Sequence, residues 1–390
     1  MFLKKTDTLI MAIATAFIVA NIYYSQPLIV LIAKEFNISS AVAGHTSYLT
    51  QAGYAVGLLF LVPLGDMLER RKQIVFTTVL AVLSLIMAAT AKSFPVLEIA
   101  CFLIGFSSCV PQLILPLSAH LAAPEQRGKV VGIIMSGLLV GILASRTLSG
   151  FIGEIYGWRV MFYIAAVICV AIIFLIQFRF PQSFPNFKGN YKMLMSSITS
   201  LVKNEPVLRE ASFINFFVFM IFGSFWTNMV LLLANNPYNF ESDQIGLFGL
   251  VGAVGALTAP LIGKIGDKAN PRIAVGYGLG LLLIAQIVFY FFGTQLYFFI
   301  AGIILLEMGQ QAVHVSNQTR VYALDATSRN RLNTVLMTMS FIGAALGSAI
   351  GLALWQFNGW GAICIASAVM VVLGFLIYLF NYKKERIANS

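Results

Sequence analysis

Long apolar runs separated by short polar punctuation dominate the chain from end to end. They fall at roughly 9–33, 41–64, 73–91, 94–121, 128–153 and 159–180, then, after one polar stretch, at 210–234, 243–265, 272–292, 296–319, 332–356 and 360–380. Most reach the roughly 20 residues that an α-helix needs to cross a hydrocarbon layer about 30 Å thick. In lipid each backbone polar group must be satisfied inside the segment, so such runs form helices. The pattern predicts an all-α membrane protein of twelve transmembrane helices. Lys4 and Lys5 precede the first run as they would a signal peptide, but this run outlasts a signal core and more spans follow, so it reads as a retained helix.

The punctuation also carries an orientation. Of 25 Lys and Arg residues, only Lys34, Lys92 and Arg159 fall in one set of alternate loops, and all the others except Arg146 fall in the opposite set. Cytoplasmic loops hold the excess of basic residues, which predicts a multi-pass protein of the cytoplasmic (inner) membrane with both termini inside. The net charge of +10 is thereby a topology signal. A nucleic-acid face would instead gather basic residues into one stripe among aromatics. Composition agrees, with 59% hydrophobic and 10% charged residues, against about 25% charged in soluble domains. Cys101, Cys109, Cys169 and Cys364 all lie inside apolar runs, where free cysteines serve packing rather than a disulfide framework or a metal site.

The polar stretch 181–209 divides residues 1–180, a predicted six-helix bundle, from a second bundle at 210–390. Within it Leu194, Ile198, Leu201 and Val202 follow helical spacing beside Lys192 and Lys203. Two readings are open: an amphipathic helix lying on the cytoplasmic leaflet, or a disordered linker. The bundles repeat each other at a shift of about 200 residues. Leu64-Gly65-Asp66 meets Ile265-Gly266-Asp267, Arg127-Gly128-Lys129 meets Arg329-Asn330-Arg331, Gly141 meets Gly343, and Gly157-Trp158 meets Gly359-Trp360. In duplicated transporters the substrate path lies between the halves near mid-membrane.

The stretch Pro63-Leu64-Gly65-Asp66-Met67-Leu68-Glu69-Arg70-Arg71-Lys72 resembles the loop signature of the major facilitator superfamily, and Gly263 through Lys268 with Arg272 resembles its second copy. Met67 stands where the family favours a basic residue, and Glu69 where it favours Gly. The segments Asn21 to Pro27 and Gly150 to Arg159 resemble a bacterial branch of the drug:proton antiporter group. Of that group's fifth-helix signature, Gly137-x-x-x-Gly141 is present without its Pro. The resemblance implies a fold of two pseudo-symmetric six-helix bundles and a gating role for Asp66, Arg70, Arg71, Asp267, Lys268 and Arg272. The alternative for the arginines is plain positive-inside anchoring.

Arg146 is the leading candidate for function, because an Arg well inside a span costs at least about 2.5–3.5 kcal/mol unless it faces a cavity or a partner. Glu307, near the middle of the tenth span, carries the opposite charge. These two are expected to face a central cavity from opposite halves, with Glu98 as the rival partner and a purely structural pair as the alternative. On the tenth span Glu307, Gln310, His314, Asn317 and Gln318 share one helical face. A polar stripe of this kind lines a pathway or hydrogen-bonds to neighbouring helices. His314 titrates near neutral pH when unperturbed, although a lone His is more often a hydrogen-bonding residue. The same logic nominates Asn21, Tyr24 and Gln26 on the first span and Gln112 on the fourth, while Trp226 either stacks on substrate or packs.

These residues suggest proton-coupled efflux of a small organic or amphipathic compound. The alternative is an uptake symporter or facilitator for a polar or anionic metabolite bound by Arg146, and a remoter one is an intramembrane enzyme or receptor-like protein. The sequence contains no catalytic motif, nucleotide-binding loop or metal-ligand spacing. It predicts no catalytic residue, cofactor or metal. The expected partners are a small-molecule substrate, protons and the bilayer, with the protein acting as a monomer.

Overall fold

A computed structural model describes residues 5–123, 126–184, 189–256, 270–325 and 328–388. Those residues form helices α1 (Lys5–Ala20), α2 (Ile29–Phe36), α3 (Ser40–Ala43), α4 (His45–Phe60), a 3-10 turn at Val62–Asp66, α5 (Arg70–Ala89), α6 (Phe94–Ser107), α7 (Pro111–Leu121), α8 (Arg127–Tyr156) and α9 (Trp158–Arg179). Then follow α10 (Tyr191–Asn204), α11 (Pro206–Ala234), α12 (Ser242–Ala256), α13 (Pro271–Phe292), α14 (Leu296–Tyr322) and α15 (Arg329–Ala388). Among the described residues nine helices are long and apolar enough to cross a membrane. The last of these, α15, is two helices joined across non-helical backbone at Asn358 and Gly359.

Two of the predicted runs are interrupted, each beside a proline. Between α1 and α2, residues 21–28 turn through bonds such as Tyr23 N–H to Ala20 O at 3.0 Å and Gln26 N–H to Tyr23 O at 3.2 Å. Pro27 has no N–H to offer an α-helical ladder, and the polar side chains of Asn21, Ser25 and Gln26 are buried here. The fourth run breaks at 108–110, directly before Pro111. The internal repeat extends to backbone geometry: Gly157 and Gly359 both take positive φ, 87° and 61°, conformations that glycine adopts without a Cβ clash.

The residues form two compact units, Met1–Met195 with Glu241–Gly249, and Ser196–Phe240 with Leu250–Ser390. In the first, α1 packs on α8 and α4 on α6. In the second, α11 packs on α15 and α13 on α14. Glycine permits these approaches, as small residues do between membrane helices. A Cβ on Gly141 would overlap the carbonyl of Ala16, and one on Gly105 the carbonyl of Thr50. In the second unit a Cβ on Gly343 would overlap the carbonyl of Phe216, and one on Gly347 that of Met220.

Residues 191–204 are helical, so the linker is not disordered there. Of the four residues of the predicted apolar face, Leu194 and Ile198 are buried within the protein, and Leu201 and Val202 are half-buried. Apolar side chains on an amphipathic helix are satisfied equally by protein or by lipid, and helical spacing does not distinguish the two.

Candidate functional site

In the first unit α8 carries Arg146 into a closed setting with 2% of its surface exposed. Its Nε donates to Gln26 Oε1 at 2.9 Å, and its guanidinium lies 4.8 Å from the centre of the Tyr23 ring. Tyr23 and Gln26 are three residues apart on the turn between α1 and α2, so both reach the same cation. The Gln26 amide lies 3.5 Å from Ser47 Oγ, and Gln51 lies 3.4 Å from the same hydroxyl. Gly249 of α12 leaves room for Arg146, since a Cβ there would crowd the arginine's own Cβ. Asn21 donates to Cys169 Sγ at 3.7 Å. Tyr24 is buried, and Gln112, also buried, hydrogen-bonds Tyr54. Glu98, the rival partner for Arg146, instead pairs with His45 Nδ1 at 2.9 Å. Both members of that pair are partly exposed, so neither bears the cost of a fully buried charge.

In the second unit Glu307 is buried on α14 and accepts a hydrogen bond from Trp226 Nε1 at 3.0 Å. Gly252 and Gly255 of α12 make space for this pair: a Cβ on the first would meet Trp226, and one on the second the Glu307 Cβ. Trp226 therefore has its only polar atom directed at the carboxylate. Gln310 is buried one turn on. Beyond it His314 Nδ1 lies 3.0 Å from Asn215 Nδ2, and Asn317 Nδ2 donates to Asn215 Oδ1 at 2.9 Å. The predicted polar face of the tenth span thus divides into a carboxylate–indole pair and an amide–imidazole network. Gln318 turns to Tyr322 and Asn333.

Arg272, for which the resemblance implies a gating role, is buried in the first turn of α13 at 2% exposure. It pairs with Glu210 of α11 at 3.1 Å and donates to Tyr378 O at 2.9 Å. Arg320 of α14 reaches the same Glu210 carboxylate at 3.3 Å. Asp267 and Lys268 lie outside the described residues. Sequence reading missed Glu210 and Asn215, which sit in the first turns of α11 and give no local signal of their partners on α13, α14 and α15.

At the signature loop Asp66 closes the 3-10 turn, close enough for its charge to act on Arg70. Arg70 Nε donates to Gly65 O at 3.3 Å. Arg71 reaches the end of α9, donating to Gln177 O at 3.3 Å and Phe180 O at 3.2 Å. Glu69, a departure from the signature, is the N-cap of α5. It accepts from the backbone N–H groups of Arg71 and Lys72, both at 2.9 Å, and from Ser183 N–H at 3.1 Å. Burial opposes its ionisation, but those three N–H groups and the Arg71 charge outweigh it and hold the carboxyl below the usual range. Glu69→Ala should cost about 1 kcal/mol, a typical capping loss. The native cap contributes fully above the ordinary carboxylate range and fades as pH falls through the lowered value. The thermal midpoint of the variant should therefore lie below that of the native protein at neutral pH and converge with it as the pH falls through that lowered value.

The family model described as Major Facilitator Superfamily matches residues 11–324 and again 211–390, overlapping matches that span nearly the whole chain. The chain belongs to the major facilitator superfamily. It is 40% identical over 380 residues to the Escherichia coli (strain K12) protein named as transporter YgaY, covering 97% of this chain and 96% of that one. It is 31% identical over 367 residues to the Streptomyces coelicolor protein named as transporter SCO4007, covering 94% and 85%. Among solved structures, a bacterial homologue of the human lysosomal transporter Spinster superposes with a TM-score of 0.76 over 96% of both chains, at 15% identity. This member of the superfamily is an integral membrane transporter and not an enzyme, so a small-molecule substrate and bilayer lipid are its partners.

Proposed function

We propose that this transporter works by alternating access, exporting a small organic or amphipathic compound from the cell in exchange for protons, as a monomer of twelve crossings in the bacterial inner membrane with both termini cytoplasmic. The observation that carries the reading is the burial of Glu307 inside a span, held by the Trp226 N–H. A carboxylate at membrane depth is costly while charged, and intramembrane acids of this kind mark ion and proton pathways. In this reading the Glu307 carboxyl binds and releases the proton. Arg146, with Tyr23, Gln26, Asn21, Tyr24 and Gln112, serves substrate recognition in the first unit, and Trp226, Gln310, His314 and Asn317 serve it in the second. Asp66, Arg70 and Arg71 act in a cytoplasmic latch with Glu69 anchoring the loop.

The seat of Arg146 also favours a second reading, uptake of an anionic metabolite, since a guanidinium pairs well with carboxylate or phosphate. Purified protein reconstituted into vesicles with an imposed pH gradient separates the two. Export requires substrate to move against the proton flow, and uptake with it. Glu307→Gln should abolish acceleration by the gradient while leaving exchange across equal pH. A Glu307→Gln protein that still pumps on the gradient would remove Glu307 from proton coupling.

A further inference from the structure

The direction of every hydrogen bond around His314 follows from the two ends of its network. Arg320 has five N–H donors and no acceptor, so Asn317 must turn its oxygen toward it, and NH1 donates to Asn317 Oδ1 at 3.0 Å. The Asn317 nitrogen then donates to Asn215 Oδ1 at 2.9 Å. Asn215 is left with its nitrogen facing His314 Nδ1 at 3.0 Å and Ser340 Oγ at 3.4 Å. Ser340 has already committed its hydroxyl hydrogen to Leu336 O at 2.8 Å, so its oxygen accepts. Arg320 and Ser340 thus impose the same orientation on Asn215 from opposite sides. Nδ1 of His314 meets a donor and must carry a lone pair.

We infer that His314 is locked as the neutral tautomer protonated on Nε2, and that it is a fixed hydrogen-bond donor toward an acceptor atom of the substrate rather than a proton carrier. Protonating Nδ1 would set two donors face to face. Relief would require Asn215 to turn over, then Asn317, and finally Arg320 to leave its place, where Glu210 holds it at 3.3 Å. Among the described residues the charged groups around the network are Arg320 and Glu307 on α14, Glu210 on α11 and Arg272 on α13, while α15 contributes the neutral Ser340. Asn215 is in this account a positioning residue.

The ring is half-buried, its centre 5.2 Å from that of the Phe219 ring in an edge-to-face arrangement, with the Phe341 ring centre 5.9 Å from that of Phe219. A donor beside aromatic faces suits a compound with an apolar or aromatic body bearing a carbonyl, carboxylate or ether oxygen. This substrate class rests on the proposal that α14 lines the pathway, whereas the tautomer does not.

Nitrogen-15 NMR of the imidazoles in the full-length protein tests the lock, because only His45, His120 and His314 contribute and His314→Gln assigns the signal. His314 is expected to show a protonated Nε2 and an unprotonated Nδ1, unchanged between about pH 5 and 8, where an ordinary histidine titrates. Asn215→Asp, which offers an acceptor to Nδ1, should move the proton there or generate imidazolium. A native signal that titrates in that range, a tautomer mixture, or an Nδ1–H form would overturn the inference, and the native spectrum decides even if Asn215→Asp does not fold. A locked tautomer in a protein whose transport is indifferent to His314→Gln, Arg146→Ala and Glu307→Gln overturns the recognition role and the pathway reading together, while the ladder stands.

Discussion

Glu210→Ala is expected to be among the most damaging single substitutions in the protein, lowering its stability by about 3–5 kcal/mol, the usual cost of stripping one partner from a buried ion pair. Two guanidinium groups, those of Arg272 and Arg320, converge on this carboxylate from α13 and α14, and both would be left with like charge at close range. The loss is measurable with a thiol-reactive fluorophore during heating, because all four cysteines are buried in the folded protein and react only as it opens. The triple change of Glu210, Arg272 and Arg320 to Met should lose less than Glu210→Ala alone, since removing all the charges also removes their desolvation cost. A triple variant less stable than the single one would show that the cluster contributes net stability as a unit.

Gly105→Val should be nearly as severe in the first unit, for a steric reason. Its Cβ would fall on the Thr50 carbonyl and beside the Tyr54 backbone nitrogen, while Gly53 and Gly57 face the Phe102 and Phe106 carbonyls from the other helix. Overpacking costs about 1–3 kcal/mol when side chains can shift, and more when they cannot. Here the obstacle is backbone, so α4 and α6 must separate along the crossing. The expected result is a sharp loss of monodisperse protein after detergent extraction. Gly132→Val, where nothing lies within 4 Å of a new Cβ, serves as the control and should leave the yield unchanged. Equal yields for both variants would mean that the α4–α6 contact tolerates separation.

What could be read beforehand depended on how many residues carried each signal. The spans and the all-α architecture rest on apolarity summed over some twenty residues, so isolated polar positions did not obscure them. The breaks at 21–28 and 108–110 depend on a few hydrogen bonds and on Pro27 and Pro111, and a hydropathy pattern averages over them. The pairing of Arg272 and Arg320 with Glu210 was hidden because the three residues are distant in sequence and meet only through packing of α11, α13 and α14. Glu98 was a reasonable candidate for Arg146 by charge alone, yet His45, at the start of the neighbouring α4, takes it. Glu69 was legible in principle: a carboxylate immediately before a helical run is a recognised N-terminal signal. Comparison with the signature made it look like a deviation instead.

The turn joining α1 to α2 also sets the rhythm by which its side chains are displayed. Bonds that close over three residues wind the chain more tightly than an α-helix and bring positions i and i+3 nearly into eclipse. Tyr23 and Gln26 stand one such interval apart, so inserting a single residue between them should carry one of the two away from Arg146 and weaken its seat as much as losing that side chain outright.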